Sequence, residues 1–414
     1  LLAPHKRKTP FYAQQPKQPR KNTPAFHSVF VSYNLAASIT PIYSLRKLFG
    51  RLVIVGDSDA RQVYIFIDEI HFIKDWQLYL KSLYERRYNI KFIISGSSLT
   101  HLFKDSKESL MGRIEDIYIL PLGLRQFARF YNSYKEDLNI DGLNELLPDK
   151  ALFDNPEEYY TVLLQNKYKL GEFEGPMNKI IKAYWLAGGY PEYFEMNNIL
   201  TWQRRLTEDI ISRGLYRDIV SIYNIKNPEI LERLMYYIAA NSGGEHSYSS
   251  IAQTLGVDTV TISSYMNYLS QAFFICICDN YSLNVGKVIR KNKKIFIADS
   301  GIRNAMLRND ELSPEDEGFQ VENCSVQAAR NYSEPENHFV YFWRDKQKET
   351  DIVIDKKIEL LPIDVKYRNT ILDKDIKGLF YFMQKYETKW GIVITKSCLD
   401  KKDNVYYIPF WLMG

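Results

Sequence analysis

The chain has 414 residues and a mass of 48.7 kDa, too long for one ordinary hydrophobic core, so roughly two to four domains are expected. With 45% hydrophobic and 25% charged residues it has the composition of an ordinary soluble protein, and Tyr, at 31, is the one unusual count. It contains no apolar run near the roughly 18 residues of a membrane span, and its start lacks the apolar core of a secretion signal, so a cytoplasmic location is expected.

Net charge is only +4 but unevenly spread. No Asp or Glu occurs from Leu1 to Gly56, where Lys6, Arg7, Lys8, Lys17, Arg20, Lys21, Arg46, Lys47 and Arg51 are basic. Such a stretch reads first as a solvated arm, with the capacity to hold phosphates or nucleic acid. Its first ten residues, LLAPHKRKTP, carry a Lys8-Thr9 pair that suits either a phosphate-binding loop or a basic tail.

The first strong pattern is QVYIFIDEIHFIKDW. Val63 to Ile67 is wholly β-branched and aromatic, as a buried central strand of a parallel sheet should be, and it ends in Asp68-Glu69. Carboxylates at the carboxyl end of such a strand stand where α/β proteins bind ligands. In a nucleotide hydrolase Asp68 would hold Mg²⁺ through water and Glu69 would orient or deprotonate the attacking water. WQLYLKSLYERRYN has helical spacing, and the strand IKFIISGSS follows it. Its polar end, Ser95 to Ser98, is expected beside Asp68, where Ser97 can sense a γ-phosphate. Gly112-Arg113 follows a polar loop, and Arg113 is a candidate to neutralise transition-state charge on a neighbouring subunit's nucleotide, or to form a structural ion pair.

YIFIDEIHFIKDW, FIISGSS, SLMGR and LPLGLRQF, in this order and spacing, resemble the prokaryotic AAA-type ATPases that carry a C-terminal domain of uncharacterised function. The resemblance continues through WLAGGYPEYF, LYRDIV and GFQVENCSVQAA, from about Phe26 onward. It implies ATP and Mg²⁺ as cofactors, possible oligomers, and a phosphate loop of the form G-x-x-x-x-G-K-[ST] behind a strand. The aligned stretch is Leu2 to Thr9, in which Lys8 and Thr9 match but Leu2 and Arg7 stand where the glycines belong. That loop wraps phosphate with backbone N–H groups in conformations that need glycine. Pro10 and the Pro-rich run from Pro16 to Pro24 further oppose the helix that should follow. The start is therefore expected to be truncated, misread or degenerate.

From about Tyr131 to Pro228 the pattern is helical and reads as a connecting region packed against the ATPase sheet. Leu231 to Asn241 and Ser249 to Leu255 then form helices, Gly256 ends the second, and Asp258 caps a third with an apolar stripe of Val260, Ile262, Tyr265, Met266 and Leu269. Two β-like segments follow, which completes the order of a winged helix. The third helix has no Lys or Arg, whereas the would-be wing supplies Lys287, Arg290, Lys291, Lys293 and Lys294 for nucleic-acid phosphates. A winged helix used for protein contact is the other reading. Cys276 and Cys278 lie in the apolar run AFFICICDN and read as buried structural thiols on one strand face; Cys324 and Cys398 lie far off.

The last module holds a helix with Glu322, a hairpin whose second strand begins Glu349-Thr350-Asp351, and a strand with Asp364 and Lys366 on one face. Such a set can hold a divalent metal, with Asp351 and Asp364 as ligands, and polarise water against a phosphodiester. The order of Glu, Asp, then Asp-x-Lys resembles the restriction-endonuclease-like fold, and WGIVITK fits its core.

The fold class expected is α/β: a P-loop AAA-type parallel sheet over residues 1–130, a helical region over 131–228, a winged helix over 229–300 and an α/β restriction-endonuclease-like domain over 301–414. Three functions stay open: an ATP-binding ATPase-like protein, a metal-dependent nuclease, and a non-catalytic DNA-binding or interaction protein.

Overall fold

The structure is a computed structural model that describes residues 52–55, 63–67, 70, 75–86, 89–95, 113–115, 117, 119–135, 138–148, 152–196, 198–284, 286, 288 and 291–413. The chain divides into two compact units, residues 1–97 with 101–111, and residues 98–100 with 112–414.

In the first unit, strands β1 (Leu52–Val55), β2 (Val63–Ile67) and β3 (Ile90–Ile94) lie in that order in one sheet. Helix α1 (Trp76–Glu85) connects β2 to β3, which run parallel. β1 pairs with β2 antiparallel, so the sheet is mixed where an all-parallel one was expected. Trp76, Leu80 and Leu83, spaced at one helical face, pack on the inward Ile65 and Ile67 of β2. Phe66 points the other way and is 41% exposed, so among the described residues only one face of β2 is covered.

The second unit holds a nine-stranded sheet in the order β11-β12-β10-β9-β8-β7-β5-β6-β4. Its strands are β4 (Glu245–His246), β5 (Ile275–Asn280), β6 (Lys293–Ile297), β7 (Phe339–Asp345), β8 (Lys348–Asp355), β9 (Leu360–Lys366), β10 (Gly391–Thr395), β11 (Asp400–Lys402) and β12 (Val405–Pro409). β7, β8 and β9 form an antiparallel meander, whereas β9, β10 and β12 run parallel, with helix α9 (Lys377–Tyr386) between β9 and β10. β5 joins the meander by pairing parallel with β7.

The helices before the sheet include α2 (Leu124–Lys135) and α3 (Glu174–Ala187). One buried core runs from Leu124 in α2 to Met413 at the end of the sheet. Trp185 of α3 meets Tyr367 edge-on and Phe410 at a tilt, with ring centroids 5.6 and 5.9 Å away, and the Tyr159 hydroxyl donates to the Leu412 carbonyl at 2.7 Å. The helical region therefore shares its core with the C-terminal strands.

Next come α4 (Pro228–Ala240), β4, α5 (Tyr248–Leu255) and α6 (Thr259–Gln271), then β5 and β6, which pair antiparallel. Ser247 caps α5 through the Ser250 N–H, Gly256 ends it in the left-handed region, and Asp258 caps α6 through the Thr261 N–H at 2.8 Å. Ile262, Tyr265, Met266 and Leu269 are buried as the stripe predicts, but Val260, in the first turn, is 75% exposed. Cys276 and Cys278 are both buried on one face of β5, their sulfurs 3.6 Å apart.

Helix α7 (Ser300–Leu307) is capped by the buried Asp299, and α8 (Pro314–Ser333) starts in a capping box between Ser313 and Asp316. Among the described residues no helix is long and apolar enough to cross a membrane.

Candidate functional site

Two places carry the residues singled out above. In the first unit, the Ser95 N–H donates to the Ile67 carbonyl at 2.9 Å and the Ile70 N–H donates to the Ser95 carbonyl at 3.0 Å. The end of β3 is thus bonded to the residues on either side of Asp68-Glu69. Asp68, Glu69, Ser97, Lys8 and Thr9 themselves lie outside the described residues. Arg113 is an exposed residue of the second unit.

In the second unit, β8 and β9 pair antiparallel with Ile352 opposite Ile363, and Asp351 and Asp364 lie one step beyond that pair. The Asp351 N–H accordingly donates to Asp364 Oδ1 at 3.4 Å. Two-residue alternation puts Glu349 on the face of Asp351 and Lys366 on the face of Asp364. Asp351 Oδ2 accepts from the Val365 N–H at 2.8 Å and from Lys366 Nζ at 3.0 Å, and Lys366 also lies 3.7 Å from Asp364 Oδ2. Helix α8 brings Glu322 to the same place. The four residues expected together, Glu322, Asp351, Asp364 and Lys366, do converge.

A second cation is present that sequence reasoning put elsewhere. Lys294 of β6, only 5% exposed, sets its ammonium 2.8 Å from Glu322 Oε1, 2.7 Å from Glu349 Oε1 and 3.8 Å from Asp351 Oδ1. It was expected to contact nucleic-acid phosphate from a wing, but an ammonium enclosed by carboxylates has no open face for one. Arg344 of β7 adds a third cation, pairing with Glu349 on β8 and with Glu245 on β4. Lys293 pairs with Asp279, and Lys291 donates to Asn280 Oδ1 at 3.2 Å and to the Arg344 carbonyl at 3.4 Å. Lys287 and Arg290 lie outside the described residues.

Electrostatics follow from this enclosure. Burial raises the Asp364 carboxyl to about 7, with the Asp351 charge adding to the effect and Lys366 opposing it. Burial likewise raises Glu322 against the pull of Lys294. Burial also acts on Asp351, but Lys366, Lys294 and the Val365 N–H outweigh it and hold that carboxylate below the usual range. Desolvation would lower Lys294, yet Glu322, Asp351 and Glu349 outweigh it and keep the ammonium well above ordinary lysine.

This arrangement does not fit a divalent metal. A metal needs several carboxylate lone pairs aimed at one empty point. Here the candidate ligand Asp351 spends Oδ2 on an N–H and an ammonium, and Lys294 stands between Glu322, Glu349 and Asp351. Among the described residues no group of three or more His, Cys, Asp or Glu is placed to hold a metal ion. Glu349 and Lys294 are the members that sequence reasoning missed. The signal for Glu349 was its two-residue spacing from Asp351; that for Lys294 was a charge opening the apolar strand KIFIA.

Residues 29–128 match the family model described as an AAA domain, and residues 178–313 and 317–413 match two models described as domains of unknown function, DUF8612 and DUF4143. In its N-terminal region the chain is therefore similar to an AAA domain. It is similar to an uncharacterized protein of Methanocaldococcus jannaschii, 26% identical over 84% of this chain and 73% of that one. It is also 23% identical to an uncharacterized protein of Haemophilus influenzae, over 86% of this chain and 79% of the other. An uncharacterized protein of Mycobacterium tuberculosis is 27% identical over 42% of this chain and 40% of its own length. No solved structure matches.

Proposed function

We propose that this protein binds ATP with Mg²⁺ and couples that binding to contact with nucleic acid or a protein partner. The observation that carries the reading is the β2–α1–β3 crossover within the AAA-domain match, whose paired strand ends flank Asp68-Glu69. Ligands bind at the carboxyl ends of such parallel strands. In this reading Asp68 orients the water shell of Mg²⁺, Glu69 positions the attacking water, Ser97 faces the γ-phosphate, and Arg113 neutralises charge on a neighbouring subunit's nucleotide. Lys8 and Thr9 would meet the phosphates, but with Leu2 and Arg7 in the glycine positions the proposal is nucleotide binding, and turnover is a separate measurement. Titration with Mg-ATP tests it: saturable binding is expected, weakened about 10–100-fold in Asp68→Asn. Absence of binding by the unmodified chain would remove the activity.

For the partner-binding half, the order α4, β4, α5, α6, β5, β6 supports a winged helix, and the β7–β10 sheet with α8 supports a restriction-endonuclease-like fold. Nuclease activity is not favoured, because Asp351 is already engaged by the Val365 N–H, Lys366 and Lys294, and Asp364 lies against Lys366.

A further inference from the structure

We propose that the carboxylates of Glu322, Glu349 and Asp351 form a cation site whose occupant is the chain's own Lys294, which excludes a divalent metal and clasps β4–β6 to the C-terminal sheet. The proposal does not rest on nucleotide binding by the first unit.

Lys294 belongs to β6, whose backbone partners are β5 and β4. Its side chain nevertheless reaches α8 and β8, where it makes contacts of 2.8 and 2.7 Å to carboxylates of two different elements. A buried ammonium is costly unless it is paired and hydrogen-bonded. Phe342, fully buried, presents its ring 5.7 Å from the same nitrogen and closes the apolar side of the site. The geometry therefore describes a filled site.

The remaining lone pairs are taken up in the same way. Glu349 gives Oε1 to Lys294 and Oε2 to Arg344, which at its other end holds Glu245 of β4. Lys366 is spent on Asp351 and Asp364. A divalent ion requires oxygen contacts of about 2.0–2.6 Å. To sit among Glu322, Glu349 and Asp351 it would have to take the volume of the Lys294 ammonium, and it would meet that positive charge at close range. Two side-chain clasps, Lys294 from β6 and the Glu245–Arg344–Glu349 bridge from β4, thus add to the β5–β7 pairing, and metal entry requires the first of them to be displaced.

Binding of Mn²⁺ followed by electron paramagnetic resonance, without nucleotide, tests this on the full chain. The unmodified protein and Asp351→Asn are expected to bind Mn²⁺ alike. Lys294→Met, checked for folding by circular dichroism, is expected to gain one Mn²⁺ about tenfold or more tighter than any in the unmodified chain, because a nearby positive charge is removed. Adding Asp351→Asn to Lys294→Met should abolish that gain. A folded Lys294→Met that gains no Mn²⁺ overturns the proposal, as does Mn²⁺ bound by the unmodified chain and lost in Asp351→Asn. If Lys294→Met does not fold, the second comparison alone decides. Because Asp68 is intact in every variant, failure here is distinct from failure of the nucleotide reading.

Discussion

Asp299 illustrates how one buried side chain can join distant parts of the chain. Its Oδ1 accepts from the Gly301 and Ile302 N–H groups at 2.8 and 3.2 Å, which caps α7, while Oδ2 accepts from the Gly189 N–H at 2.8 Å, 110 residues away. Asp299→Asn would turn an amide NH₂ toward a backbone N–H and leave a buried donor unmet. A loss of about 1–3 kcal/mol in urea unfolding is expected. Burial raises this carboxyl to about 6 despite its three N–H partners. Between its unfolded value near 3.8 and about 6, the folded protein binds more protons than the unfolded one, so this group's contribution falls as pH rises through that window. The stability advantage of the unmodified protein over Asp299→Asn should therefore be larger at pH 4.5 than at pH 7.5. An equal advantage at both would assign the carboxyl an ordinary value.

Among the described glycines, the tightest surroundings are those of Gly378, where α9 meets β8. Gly378 sits so close that an added Cβ would lie 1.8 Å from the Glu349 carbonyl oxygen, which is backbone and cannot swing aside. Helix and strand therefore touch at the backbone of Glu349, one of the residues that hold Lys294. Gly378→Ala should destabilise by roughly 1–3 kcal/mol, the usual cost of overpacking, read from the urea midpoint. Period-2 logic made Asp364 and Lys366 legible as sharing one strand face. What it does not supply is the identity of the residue across the gap. Lys294 looked like part of a basic wing because KNKK is a charge run; only the pairing of β6 shows that its last lysine lies within a buried strand. In the first unit, the apolar run and acidic end of β2 were legible, and so was its pairing with β3, whereas the antiparallel β1 was not. LVIV carries no direction, since strand polarity is set by the connection and not by composition.

In the second unit, the largest buried core among the described residues spans the helical region and the C-terminal strands. Trp185 lies in the helical region yet packs on Tyr367 and Phe410 of the C-terminal part. Trp185→Ala should cost about 3–5 kcal/mol and lower the denaturant midpoint of hydrogen exchange in both α3 and β9 together. A shift confined to α3 would mean that the two fold independently. The sequence by itself determined the local features: the acidic strand end, the capped helices, the thiol pair on one face of β5, and the shared strand face of Asp364 and Lys366, whereas the meeting of these two with Glu322 and Asp351 was expected from a resemblance of fold. The local features follow from periodicity, capping chemistry and the two-residue repeat of a strand, which act over a few positions. Tertiary structure alone decided what fills the carboxylate cluster. Lys294 stands 28 residues from Glu322 and 55 from Glu349, and the balance of buried charge depends on distances that no local rule encodes.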